Sequence, residues 1–153
     1  MISARDTISV DATPEAVFEF MDDPHNHAAV TPRLTDVRDV ARLDNGGKQL
    51  SFTYRMVGIG IDGDLVQTVH EQNERMRFEM RGRLEGTIDL QFEPTTDGSG
   101  TDLTYAAEYD IPENAFTSLG EPVVRRFNER QLRVTLENVA DRFERSVERA
   151  DGR

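Results

Sequence analysis

Hydrophobic and polar residues alternate in two different rhythms along this chain, and the rhythms divide it. Thr7 to Asp11 alternates with period two and predicts a strand. From Pro14 the rhythm turns helical: Val17, Phe18 and Met21 form one apolar stripe, Thr13 stands where an N-cap belongs, and Pro14 suits the first helical position. Asp23-Pro24 stops that helix, and a short second helix is expected over about 24–30, before Thr31-Pro32 ends it. From Arg33 to Pro112 period two returns, with strands expected near 34–43, 48–58, 64–73, 75–83, 85–94 and 102–111.

The later strands alternate most cleanly. Met76, Phe78 and Met80 oppose Arg75, Arg77, Glu79 and Arg81, while Ile88, Leu90 and Phe92 oppose Asp89, Gln91 and Glu93. Leu103, Tyr105, Ala107 and Tyr109 repeat the pattern. One face buried and one face wet predicts an antiparallel meander. The last segment, about 121–150, returns to helical spacing with Leu132, Leu136, Val139, Phe143 and Val147, and Pro122 sits in its first turn. The order β-α-α-β6-α gives an α+β fold: a curved antiparallel sheet of about seven strands wrapped around a long C-terminal helix. A sheet with one wet face must bury the other, and only the last helix is long enough to cover it. Residues 1–153 are read as one domain.

Composition narrows the partners. Asp and Glu number 29 against 18 Lys and Arg, a formal charge of -11, which argues against nucleic acid and anionic membrane as partners. Lys48 is the chain's one lysine, and an acidic, lysine-poor surface suits a salt-rich, halophile-like cytoplasm. The sequence contains no cysteine, which excludes disulfides and thiolate chemistry. No apolar run reaches the roughly 18 residues of a membrane span, and the N-terminal stretch lacks the apolar core of a secretory signal. A cytoplasmic protein without cofactor or metal, monomeric or weakly self-associating, is expected.

Three constellations invite chemical readings. Gly58, Gly60 and Gly63 have the spacing of a dinucleotide-binding loop, but the β-branched stretch Leu65 to His70 follows them where such a loop needs a helix. The expected structure is a wide hairpin, with Asp62-Gly63 supplying a positive φ and Gly58 and Gly60 easing a bend. Asp22, Asp23, His25 and His27 resemble a metal cluster, yet residues two apart on a helix diverge by about 200°, so the segment is read as a polar connector capped by Asp23. His70 is a weak catalytic candidate. Val66, Thr68 and His70 oppose Leu65, Gln67 and Val69, and the alternation leaves open which set faces inward.

The inward faces carry a collective signal. Phe52, Tyr54 and Met56 join Phe78, Met80, Leu90 and Phe92 there, and Tyr105 and Tyr109 follow. Phe127 of the last helix completes the expected lining, and Phe116, with Leu119, marks an entrance in the turn-like stretch 114–120. Mostly apolar walls, adaptable methionines and a few phenols match a small-molecule pocket.

Local phrases point the same way. Thr7 to Pro24, with its Thr13-Pro-Glu-Ala-Val-Phe18 helix opening, resembles the start of the START-like superfamily, also called SRPBCC, the polyketide cyclase/dehydrase and lipid-transport group. Phe92 to Tyr105, where a Gly-Thr pair precedes the last strand, and Ile111-Pro112 beyond it resemble the same family. The resemblance implies a helix-grip fold with a hydrophobic cavity between sheet and terminal helix. The family often has an aromatic before the proline that follows the second helix, where this chain has Ala28-Ala-Val-Thr-Pro32. The resulting expectation is a protein that binds or carries a hydrophobic small molecule, such as a lipid, an isoprenoid or a polyketide-like compound. The alternative is a cyclase/aromatase-type enzyme working in the same cavity. A third reading is an interaction protein whose cavity is filled by its own side chains.

Overall fold

The computed structural model describes residues 2–56, 59–110 and 120–151, with side chains apart from those of 56, 59 and 145–151. Strand β1 (Ile2–Val10) is followed by α1 (Pro14–Asp22) and α2 (Pro24–Val30). Strands β2 (Leu34–Arg42), β3 (Lys48–Met56), β4 (Ile59–Glu71), β5 (Arg75–Gly82), β6 (Glu85–Pro94) and β7 (Thr101–Asp110) then lead to α3 (Glu121–Asp151). The seven strands form one antiparallel sheet in the order β1-β7-β6-β5-β4-β3-β2. The fold is the helix grip that the alternation and the family resemblance implied. The two short helices carry the chain from one sheet edge to the other, and α3 packs chiefly along β1.

The helix boundaries follow their caps. Thr13 Oγ1 accepts the Ala16 N–H at 3.2 Å, and Asp23 Oδ1 accepts the His25 N–H at 2.9 Å. Each cap satisfies a backbone donor that the first turn leaves without a partner. Val17, Phe18 and Met21 are all buried, as their spacing required. On α3, Leu132, Leu136 and Val139 are buried in the core, each contributing roughly 1.5–3 kcal/mol by leaving water. The Val147 side chain lies outside the described residues.

Strand β1 is longer than the alternation suggested. It pairs with β7 from Ile2↔Tyr109 to Val10↔Thr101, so Asp6 occupies an inward-facing position. This acid at an apolar position hid the strand, and it meets Arg133 Nη1 of α3 at 3.2 Å.

The glycine-rich stretch corrects the expected hairpin. Asp62 and Gly63 are not a turn: they pair with Thr53 and Phe52 inside the β3–β4 ladder. Gly63 is needed there for another reason, because a Cβ would stand 3.0 Å from Phe52 Cζ and 3.3 Å from the Arg81 carbonyl oxygen. Gly60 pairs regularly with Arg55, and Gly58 lies outside the described residues. Strand follows the glycines, so the helix N-terminus that a pyrophosphate needs is not supplied.

Two strands break register. Between Gln67 and Val69 the β4–β5 ladder inserts an extra residue, a β-bulge. Strand β2 shifts twice against β3, and Asp36 and Asp39 take positive φ values of 51° and 55° at those points.

Candidate functional site

A cavity of about 110 Å³ lies between the concave sheet face, α2 and α3. Phe52 and Tyr54 of β3, Phe78 and Met80 of β5, and Tyr105 and Tyr109 of β7 line it, along with Leu50, Leu65, Leu84 and Ile88. Alternation places these side chains inward because the opposite sheet face is wet. Leu90 and Phe92, expected in the lining, stand apart from it. Both are buried beneath α1, where Phe92 meets Phe18 edge-on with ring centroids 5.2 Å apart. Phe127 is half-buried against the core and also stands outside the lining. The Met56 side chain and the whole of Phe116 and Leu119 lie outside the described residues.

Beside the three expected tyrosines, the cavity has polar groups that the sequence did not single out. His27, read as part of a connector, is buried and lines the cavity, whereas His25 faces solvent. No set of three or more His, Asp or Glu side chains is placed to hold a metal ion among the described residues. His27 Nε2 and the Tyr105 hydroxyl form a hydrogen bond of 3.1 Å, and the His27 ring also meets Phe78 edge-on at 6.0 Å. Burial pulls the His27 imidazole down to about 4, because the charged form would lose its hydration among apolar walls. Burial likewise pushes Tyr54 up to about 12 and raises Tyr105 and Tyr109 well above the usual phenol range. At neutral pH this part of the cavity is uncharged.

His70 reaches the concave face by an unforeseen route. The bulge lets both Gln67 and His70 face inward, opposite Phe78 and Met76, so neither strict alternation holds along β4. His70 nevertheless stands outside the cavity lining. Its Nε2 donates to Asp22 Oδ1 at 3.1 Å, and its ring lies edge-on to Phe18 with centroids 5.3 Å apart. Lys48 Nζ donates to the Asp22 carbonyl oxygen at 2.9 Å, where a cation also meets the C-terminal end of α1, and stands 3.5 Å from Asp22 Oδ2. The chain's one lysine thus fastens α1 at the cavity rim.

Gln67 stands against the cavity fully engaged: its Oε1 accepts the Lys48 N–H at 3.1 Å, and its Nε2 donates to the Val69 carbonyl at 3.3 Å. Gly47 makes room for it, since a Cβ there would come within 2.8 Å of the Gln67 side chain. From α3, Asn128, Gln131, Leu132 and Thr135 complete the wall. The Tyr109 hydroxyl donates to Asn128 Oδ1, and Tyr109 in turn neighbours the Tyr54 hydroxyl. Asn128 and Gln131 escaped the sequence reading because polar residues on a helix default to the wet face. The available signal was the stripe Val124–Asn128–Leu132, in which Asn128 stands four residues from an apolar neighbour on either side.

The chain belongs to the family described as polyketide cyclase/dehydrase and lipid transport, whose model matches residues 1–144. A search of curated proteins finds no match. Among solved structures, a protein of Thermus thermophilus superposes with a TM-score of 0.80 at 16% identity, covering 94% of this chain and 98% of its own. A START superfamily protein from Mycobacterium smegmatis gives 0.74 at 15% identity, covering 94% and 97%. The Zhui aromatase/cyclase of a Streptomyces species gives 0.74 at 14% identity, covering 95% and 94%. At these identities the likeness is one of fold.

Proposed function

We propose that the protein binds and carries a hydrophobic small molecule, of lipid, isoprenoid or polyketide-like character, in the cavity between sheet and α3. One observation carries this reading: the lining is mostly apolar, His27 and the three tyrosines in it are held neutral at physiological pH, and its charged pair, Asp22 and Lys48, is matched. Neutral donors and acceptors orient a guest without charging it. The family description, which joins cyclases with lipid transport, supports the same class of ligand.

The second reading is a cyclase/aromatase-type enzyme, and the His27–Tyr105 hydrogen bond inside the cavity favours it. Against it stands the protonation chemistry. A histidine near 4 is a weak base at pH 7, and a phenol raised above its usual range gives up its proton reluctantly. Such groups serve better as fixed hydrogen-bonding partners.

Native mass spectrometry with organic extraction of the purified protein tests the proposal; a co-purifying apolar molecule is the expected result. Protein that stays empty and takes up none of a panel of lipids, isoprenoids and polyketides would overturn it. His27→Gln separates the two readings: a carrier keeps its ligand, whereas an enzyme loses turnover. His70→Ala should leave binding intact, because His70 stands outside the lining.

The setting we propose is cytoplasmic, with the protein monomeric or weakly self-associating. No helix among the described residues is long and apolar enough to cross a membrane. The charge of -11 with a single lysine supports a salt-rich surrounding; a melting temperature that rises in molar potassium chloride is the expected sign.

A further inference from the structure

We infer that the guest carries a hydroxyl group on an apolar, ring-sized body, and that Asn128 and Gln131 of α3 hold that hydroxyl. The inference rests on the binding function proposed above and names the chemistry of its ligand.

Asn128 is 5% exposed and lines the cavity. Its Oδ1 is taken by the Tyr109 hydroxyl, which turns the amide so that Nδ2 is left over. Asn128 Nδ2 and Gln131 Oε1 are buried, and neither has a hydrogen-bond partner among the described residues. Buried polar atoms are rarely left so, because each has surrendered water without replacement. The other polar side chains around them are engaged: His27 Nε2 with Tyr105, and Gln67 through both ends of its amide.

The two free atoms are complementary. Asn128 offers a donor and Gln131 an acceptor, three residues apart on one helix face, where Cβ atoms lie about 5–6 Å apart. A hydroxyl is the smallest group that satisfies both, since its oxygen accepts from Asn128 while its proton is donated to Gln131. An ether or ketone answers only Asn128. An ammonium answers only Gln131 and would be stripped of its hydration beside Leu50, Phe52 and Phe78. The volume sets the upper scale: about 110 Å³ is roughly three-quarters of the ~150 Å³ of an engineered apolar cavity that takes up benzene, so one small ring is what fits.

Calorimetric titration with 4-methylphenol, 4-methylanisole and p-xylene tests this on the full chain. The three share a ring and differ in offering donor plus acceptor, acceptor alone, or neither. Gln131→Met keeps the length of the side chain and leaves the Tyr109–Asn128 bond in place, with circular dichroism to check folding. The preference for 4-methylphenol over p-xylene should fall about tenfold in Gln131→Met, the scale of one hydrogen bond, while p-xylene binds as well as before or better. The preference for 4-methylanisole over p-xylene should be unaffected. If p-xylene binds and the 4-methylphenol preference is the same in both proteins, as it would be were the two groups merely bridged by water, the hydroxyl inference is overturned and the binding function stands. If no probe binds the wild-type protein, the inference falls together with the ring-sized cavity behind it.

Discussion

The two ends of the concave face are built from the same alternation and finish differently. At the end that α1 covers, Phe18 of that helix is completely buried with Phe92 and His70 edge-on against it, and Met76, Leu90 and Leu103 of the strands are completely buried too. Further along the same strands, Phe78, Tyr105, Ala107 and Tyr109 border open space. The difference is the cover. Helix α1 lays Val17 and Phe18 directly onto its end, whereas α2 and α3 present His27, Asn128, Gln131 and Thr135 to the other. Whether a sheet face becomes solid core or a chamber is decided by the element opposite it, not by the strand.

The largest expected effect separates the ends by truncation. Phe18→Ala should cost about 3–5 kcal/mol in chemical denaturation, and Phe78→Ala at least about 1 kcal/mol less, because its neighbours already border a void and lose fewer contacts. Equal losses would mean that both ends are packed alike.

Next comes acid. The folded-state His27 value of about 4 lies below the ordinary 6.5, so its contribution is complete above pH 6.5 and lost as the pH falls from 6.5 to 4, roughly 3 kcal/mol in all. Subtracting the stability curve of His27→Gln from that of the wild type over this interval isolates the slope. A flat difference would show that water reaches the imidazole.

Enlargement is the milder probe. Leu103→Phe, in the solid core, should cost about 1–3 kcal/mol through overpacking. Ala107→Leu should fit the chamber within about 1 kcal/mol and compete with any guest, which thermal melting and titration would record together. Smallest of all, Tyr105→Phe removes one hydroxyl and its bond to His27, worth about 1 kcal/mol.

Much of the architecture was legible because period and punctuation agree. Thr13-Pro14 opens α1, Asp23-Pro24 divides the helices, and strict alternation marks β5 to β7. Beyond the tyrosines, the chamber's polar groups were less legible. His27 looked like half of a pair with His25, although its three-residue distance from buried Val30 placed it on the inner face of α2. Strand β4 hid the position of His70, because no rule of alternation survives an inserted residue, and nothing in Gln67-Thr-Val announces a bulge. Asp62-Gly63 carries a turn signature, but ladder pairing with β3, and for Gly63 with β5 as well, outweighed local preference.

Strand β2, at one border of the sheet, is twice out of step with β3 and kinked at Asp36 and Asp39. A straight border would offer a regular row of amides and carbonyls on which a neighbouring molecule could continue the sheet. This one offers a broken row studded with carboxylates, so end-to-end growth into fibres is discouraged even when salt mutes the repulsion between acidic surfaces.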